Sequence, residues 1–440
     1  MAVIAAISTA LSNAAIGLVR LSGDGAEKIA QSIFSSPLKD RTAVYGRIVG
    51  KNGETLDTAL CTFFKGPHSY TGEDMAEFSC HGGLVVLRGV LEAVLDAGAV
   101  PAQRGEFTKR AFLNGKMDMS QSEAVIDIIT AKSTLSAKEA FLQAGGSLRR
   151  VINELRSQLL DIDSEIMVYA DFAAEGIEAP DATKLCPMIE AAMKRTEKLR
   201  SSYGTGKFLK EGFPVCLCGK PNVGKSSLMN RLIGRDRSIV TEIAGTTRDI
   251  ISETIELEGL PIILSDTAGI HESEDTVEKI GIDRAKEEIR NSALAIFLFD
   301  ASTPCDEDDK ALLTLAGECD SLIVANKTDK NTVFIPDGAI LISAENGDGM
   351  ENLISTIKEK ALGSAPMDMG ETITNLRHRQ ALDKAYEALS KANDAISLGI
   401  DPEVAELDIN EALCQLGLIT GETVSDDLID RIYENFCVGK

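Results

Sequence analysis

Apolar and polar positions follow two rhythms along this chain, and the rhythm changes near residues 117, 209 and 364. From 1 to 116, short β-rich runs alternate with helical ones. Residues 16–21, 59–64 and 75–79 carry the alternation and branched residues of strands, and 26–34 and 84–97 have helical spacing. This mixture predicts an α+β domain. From 117 to 208 the strand signal vanishes. Leu148, Ile152, Leu155, Leu159, Ile162, Ile166 and Tyr169 recur at steps of four and three, predicting one long helix with an apolar seam. The same rhythm returns after 364, in Leu382, Ala385, Leu389, Ala392 and Ile396.

Between these helical segments, 209–363 alternates strands with helices, with apolar runs at 215–218, 261–265, 321–325 and 339–342. That order predicts a parallel sheet covered on both faces, with its site in the loops at the strand C-termini. The economical arrangement is a discontinuous helical bundle, built from 117–208 and 364–440, with 209–363 inserted into it. Two separate helical domains are the alternative. Insertion is favoured because neither segment alone has many long apolar helices.

The chemistry sits at the strand ends. Gly219, Lys220, Pro221, Asn222, Val223, Gly224, Lys225 and Ser226 match GxxxxGK[ST] between a short apolar strand and a helix. In that context backbone N–H groups cradle phosphates at the positive end of a helix. Lys225 would reach the β- and γ-phosphates, the hydroxyl of Ser226 would hold Mg²⁺, and Asn222, Val223, Gly224 and Ser227 would complete the nucleotide contacts of the loop. Asn326, Lys327, Thr328 and Asp329 form NKxD after the 321–325 run. One carboxylate there accepts both guanine N1–H and N2–H₂; against adenine it would be left unpaired. Lys327 would lie along the base plane. Ser343, Ala344 and Glu345 fit the loop whose backbone N–H meets guanine O6, and Asp266, Thr267, Ala268 and Gly269 form DxxG, facing metal and γ-phosphate. These four motifs in the right order predict a guanine-specific P-loop G domain, a Ras-like doubly wound sheet, within a multidomain α/β protein.

The polar, glycine-bearing stretch 238–249 falls where the first switch loop belongs, which makes Thr241, Glu242, Ile243, Ala244, Gly245, Thr246 and Thr247 candidate nucleotide contacts and Thr247 a second Mg²⁺ ligand. One expected group is missing. The glutamine that orients water in many GTPases follows the DxxG glycine, but here Ile270 stands there. Glu278 is the candidate base acting through a water, and His271 is adjacent to the loop. No finger arginine or lysine is evident. Asn222, with oxygens of the 241–247 loop, could hold a monovalent cation in its place.

Composition adjusts this picture. At 440 residues the chain suggests two to four domains. It is 44% hydrophobic and 26% charged, and no apolar run approaches the roughly 18 residues of a membrane span. The first residues lack basic groups ahead of their apolar stretch, which argues against a signal peptide. Nine cysteines, an odd number mostly in apolar runs, suit a reducing, cytoplasmic compartment. Cys216 and Cys218 read as core, and Cys80-His81 has no second pair at zinc-like spacing. A net charge of −23 excludes non-specific binding of phosphate backbones. The densest basic patch, Arg104, Lys109, Arg110 and Lys116, reads as a solvated helix face. Residues 425–436 read as a capped amphipathic helix, with Ser425 at the N-cap and Leu428, Ile432 and Phe436 on one face, docked on the bundle.

With these motifs the chain resembles the MnmE (TrmE) tRNA-modification GTPases over essentially its whole length. The specific marks are IVTEIAGTTRD at 239–249, TGED at 71–74, HGG at 81–83, RGEFT at 104–108, AFLN at 111–114 and FCVGK at 436–440. The resemblance implies a folate-binding N-terminal domain, a helical domain and a G domain that dimerises across the nucleotide with K⁺ in the interface. It implies K⁺ contacts at Asn222, Thr241, Ile243 and Thr246, catalysis by Glu278, and folate contacts at Arg20, Glu77, Lys116 and Lys440. Cys437 matches the family's tail cysteine; Gly439 and Lys440 make the tail a poor prenylation signal. Implied cofactors are GTP, Mg²⁺, K⁺ and 5,10-methylenetetrahydrofolate, with the 5-formyl form as a binding analogue. Implied partners are a second copy, tRNA and an FAD-containing MnmG (GidA)-type protein in a heterotetramer. Residues 10–15 lack the family's glycines, and Asp171, Phe172, Ala173, Ala174 and Glu175 lack its proline.

Two other functions fit parts of the chain. A regulatory switch that times an assembly step has no need of a folate pocket in 1–116. An inactive binding module has no need of intact Lys225, Ser226, Asp266 and Glu278.

Overall fold

The computed structural model describes residues 2–172, 182–235, 252–266, 288–363 and 367–439. In chain order the elements begin β1 (Ile4–Ile7), β2 (Ile16–Ser22), α1 (Ala26–Ile33), β3 (Ala43–Val49), β4 (Thr55–Phe64), β5 (Met75–His81), α2 (Leu84–Asp96), β6 (Val100–Pro101) and α3 (Glu106–Leu113). Helices α4 (Met119–Thr130), α5 (Thr134–Ala144), α6 (Ser147–Phe172), α7 (Ala182–Ser201) and α8 (Tyr203–Glu211) follow. Then come β7 (Phe213–Cys218), α9 (Lys225–Arg235), β8 (Ser252–Leu257), β9 (Leu260–Asp266), β10 (Leu294–Asp300), α10 (Glu307–Ala316), β11 (Ser321–Asn326), β12 (Ile340–Leu341) and α11 (Met350–Leu362). The last helices are α12 (Leu376–Ser397), α13 (Pro402–Thr420) and α14 (Asp426–Tyr433). The chain divides into two compact units, Met1–Ile126 with Cys414–Lys440, and Asp127–Leu413.

In the first unit six strands form one sheet in the order β3-β4-β5-β2-β1-β6, antiparallel except for the β1–β6 pair. Period-two alternation sends Val19, Leu21, Ala76, Phe78 and Cys80 to one face, under Ala30 of α1 and Leu87 and Val90 of α2. Arg20 and Glu77, one residue out of phase, face the other way and lie opposite each other in register. Helix α3 puts Phe107 against Ile4 and Ala6. The apolar stretch at the start of the chain is β1, an inner strand, and β3 is an element that the sequence pattern does not reveal.

Helix α14 falls in this unit, where it docks on α4, the first helix of the 117–208 segment, and also reaches Phe112 of α3. Its buried face is Ile429 and Tyr433, continued by Phe436, against Met119 and Phe112. Ile432 is only partly buried, and Ser425 stands at the N-cap without a side-chain cap bond. Arg110 corrects the reading of a solvated basic patch. It is buried, with Nη1 3.1 Å from Glu73 and Nη2 2.8 Å from Glu106, because the 69–74 loop folds back over α3.

In the second unit α6 buries Leu148, Ile152, Leu155, Leu159, Ile162 and Ile166 along one seam, with Tyr169 half-buried. Helix α7 lies along α6 and α12. The second sheet runs β12-β11-β10-β7-β9-β8 and is parallel except at its edge, where β8 and β9 form an antiparallel hairpin through Glu258 and Gly259. Every strand read from the sequence pairs in parallel, and β8 adds an antiparallel edge because a two-residue turn permits only antiparallel pairing. The strand expected at 339–342 shortens to two residues. Leu228 and Leu232 of α9 and Leu353 and Ile357 of α11 cover one face; Ala316 of α10 covers the other, over Cys216, Cys218, Phe297 and Phe299. No described helix is long and apolar enough to cross a membrane.

Candidate functional site

Strand β7 lies between β10 and β9 and delivers the chain into the 219–224 loop, which ends where α9 begins at Lys225. The loop needs unusual backbone. Asn222 has φ 65° and Gly224 φ 101°, both in the left-handed region. A Cβ on Gly219 would stand 2.6 Å from the Leu298 carbonyl oxygen, and one on Gly224 would stand 2.3 Å from Asn326 Nδ2. The loop therefore wraps tightly over the ends of β10 and β11. Its concave turn opening onto a helix N-terminus fits a phosphate chain. Lys225 is buried, its Nζ donating to the carbonyls of Gly219 (2.7 Å) and Lys220 (2.9 Å). Ser226 and Ser227 are exposed in the first turn of α9, where a hydroxyl can meet a metal ion. Asp266 ends β9 opposite Leu217, one residue from the end of β7.

The NKxD loop is locked to this cradle. Asn326 is buried; its Nδ2 donates to the Val223 carbonyl at 2.8 Å and its Oδ1 accepts from the Ala344 N–H at 2.9 Å. One side chain thus ties the phosphate loop to the 343–345 loop. Lys327, at φ 65°, donates to the Asn222 carbonyl at 2.7 Å and to Asp300 at 2.6 Å. The exposed Asp329 accepts from Ser343 Oγ at 2.7 Å, and this bond holds its carboxyl below the usual carboxylate range. Such a carboxylate stays ionised and available to two N–H donors.

Three residues to which no motif gave a role complete the frame. Arg231 of α9 donates to the carbonyls of Ala344 (3.0 Å) and Glu345. Lys220 donates to Asp306 and Asp309, each at 2.7 Å, at the capped N-terminus of α10. The bond from Lys220 leads the causes that bring Asp306 down to about 2. Asp300, at the end of β10, is the third. Thr241, Glu242, Ile243, Ala244, Gly245, Thr246, Thr247, Thr267, Ala268, Gly269, Ile270, His271, Glu278 and Lys440 lie outside the described residues.

A second constellation stands on the first sheet. Arg20 Nε donates to Glu77 Oε1 at 2.8 Å, and its guanidinium carbon lies 5.6 Å from the Tyr70 ring centre and 5.7 Å from that of Phe107. The tail reaches this pair. Val438 bridges Arg104, the Gly105 N–H donates to the Cys437 carbonyl at 3.3 Å, and the Gly439 carbonyl accepts from Ser8 Oγ (2.9 Å) and Arg20 Nη1 (3.5 Å). A Cβ on Gly439 would lie 2.5 Å from the Ile7 carbonyl oxygen, so only glycine passes there. The Cys437 side chain is exposed. Lys116 has a different partner, donating to the Pro67 carbonyl at 3.0 Å. His81 Nδ1 sits 2.7 Å from Asp57. All nine cysteines are free, and no group of three acidic, histidine or cysteine side chains among the described residues is placed to hold a metal ion.

A phosphate cradle on a central strand, with a guanine-reading loop hydrogen-bonded to it, defines the class: a P-loop GTPase. The relatives give the family. The "GTP-binding protein TrmE N-terminus" model matches residues 3–116, and the "MnmE helical domain" model matches 119–437. The chain is 40% identical over 466 residues to the tRNA modification GTPase MnmE of Carboxydothermus hydrogenoformans, with 99% of each chain covered. It is 39% identical over 454 residues to that of Clostridioides difficile and 40% over 445 to that of Aquifex aeolicus, again covering 99% of each. The chain belongs to the MnmE (TrmE) family of tRNA-modification GTPases.

Proposed function

We propose that this chain is a K⁺-activated GTP hydrolase that acts with an FAD-containing MnmG (GidA)-type partner. Together they convert C5 of the wobble uridine of certain tRNAs to an aminomethyl or carboxymethylaminomethyl form. In this reading 1–116 binds folate and dimerises, 117–208 and 364–440 form the helical domain, and 209–363 is the inserted G domain. Lys225 and the α9 amides hold the phosphates, Ser226 and Thr247 hold Mg²⁺, and Asp329 reads guanine. Asn222, Thr241, Ile243 and Thr246 form an oxygen cage for K⁺ where other GTPases place an arginine. Glu278 takes the proton of the attacking water through a second water. Its replacement by alanine lowers the hydrolytic rate by roughly 10²–10⁴-fold with nucleotide affinity nearly unchanged.

Arg20, Glu77, Lys116 and Lys440 form the folate site, and the bound folate supplies a one-carbon unit. The observation that carries the modifying half of this reading is the Gly439 carbonyl bonded to Arg20, two residues from the exposed Cys437 thiol. It keeps a free thiol and a charged pair in one compact unit. Mass analysis of wobble uridines in cells lacking the gene tests the proposal. Loss of the C5 modification is expected, and unchanged modification refutes it.

A further inference from the structure

We infer that Asp300 is a positioning residue for guanine-nucleotide binding, acting through Lys327. The inference rests on the guanine-nucleotide reading of this site and adds a group that neither phosphate-loop nor NKxD motif contains. Asp300 ends β10, a strand buried along nearly its whole length, and stands in register opposite Asn326 of β11. Its backbone is therefore fixed. Its carboxylate is fixed too: Oδ1 accepts from the Ser302 N–H at 2.9 Å and from Ser302 Oγ at 2.6 Å. The remaining oxygen, Oδ2, faces Lys327 Nζ at 2.6 Å.

Lys327 needs such a partner. A lysine carries four rotatable bonds and loses considerable rotamer entropy when held in one place. Here its ammonium sits between two rigid acceptors, Asp300 Oδ2 and the Asn222 carbonyl of the phosphate loop. The aliphatic stem between these anchors and the Lys327 backbone is then held in one conformation, a preformed apolar shelf for a purine face. Without the carboxylate the ammonium keeps one neutral acceptor, and the stem samples other rotamers. Burial alone raises the Asp300 carboxyl, but the bonds from Lys327 and Ser302 outweigh it and hold the group below the usual carboxylate range. The charge is thus present throughout the neutral range. Because Asp329 and not Lys327 reads the exocyclic amine, removing the Asp300 charge weakens guanosine and inosine nucleotides alike.

The test uses the full-length protein and fluorescent-analogue titrations of GDP and IDP, with melting of the nucleotide-free chain alongside. Asp300→Asn is expected to weaken GDP about tenfold, the loss of one charge-assisted hydrogen bond, with the GDP-to-IDP preference and the melting temperature unchanged. In a Lys327→Ala background the same substitution should cost nothing further, because the side chain it positions is gone. Wild-type GDP affinity in Asp300→Asn overturns the inference. So does an equal loss in the Lys327→Ala background, or a variant that melts early or fails to fold, since each makes the carboxylate a structural anchor only. A wild-type chain that binds no GDP contradicts the nucleotide reading itself, an outcome separate from any behaviour of the variants.

Discussion

Gly224 illustrates how the site constrains single residues. Its φ of 101° and the 2.3 Å that would separate an added Cβ from Asn326 Nδ2 act together. Alanine there must either strain the loop or push away the amide that also bonds Val223 and Ala344. Left-handed strain of this kind costs about 1–3 kcal/mol. Gly224→Ala should therefore melt earlier and bind GDP at least tenfold more weakly, read by calorimetry and nucleotide titration. Wild-type affinity in that variant would show that binding does not depend on the close packing of the two loops. The glycines, Lys225, Asn326 and Asp329 were legible because their spacing is local. Asp300, Arg231 and the Lys220 clasp were not, because each works through a partner far along the chain. The basic run at 104–116 misled for the same reason: Arg110 finds Glu73 across the fold, and sequence spacing alone cannot bury it.

Among the elements, α5 holds the second unit together at two places. At its N-terminus Thr134 donates through N and Oγ1 to Glu256 of β8 (3.2 and 2.6 Å), and the Gly259 carbonyl in the hairpin turn accepts from Leu135. A turn later Glu139, buried, accepts from the Gly370 and Thr372 N–H groups, where the chain returns from α11 toward α12. Burial raises the Glu139 carboxyl, and the bonds from Gly370, Gln143 and Thr372 only partly oppose this. A carboxyl raised on folding adds stability that is complete below its unfolded value of 4.5 and is lost as pH rises through the folded value. Urea unfolding should show stability declining as pH climbs above that value toward neutrality. Glu139→Gln should flatten that decline; an unchanged slope in the variant would assign it to other groups. The long helices α6 and α12 and the strands β2, β4 and β5 of the first sheet were readable from periodicity. The antiparallel β8 and the contact of α14 with Phe112 of α3 were not, since both are decided by tertiary partners and not by local pattern.

For the whole molecule, the two compact units place the two chemistries in separate parts of the chain. The nucleotide loops belong to Asp127–Leu413, and the tail with Arg20 and Glu77 belongs to the unit formed by Met1–Ile126 and Cys414–Lys440. Removing residues 437–440 strips the bonds to Arg104, Gly105, Ser8 and Arg20 and leaves Tyr433 and Phe436 in their core. The 1–436 chain should fold, hydrolyse GTP at the full-length rate and fail to support wobble-uridine modification. Retained modification would show the tail to be dispensable. The proposed activity turns on a K⁺ ion held at Asn222 doing the work of the missing arginine. The decisive comparison is phosphate release from GTP by the purified chain in KCl and in NaCl at equal ionic strength. Hydrolysis many times faster in K⁺ than in Na⁺ is expected; equal rates in the two salts would refute the cation site.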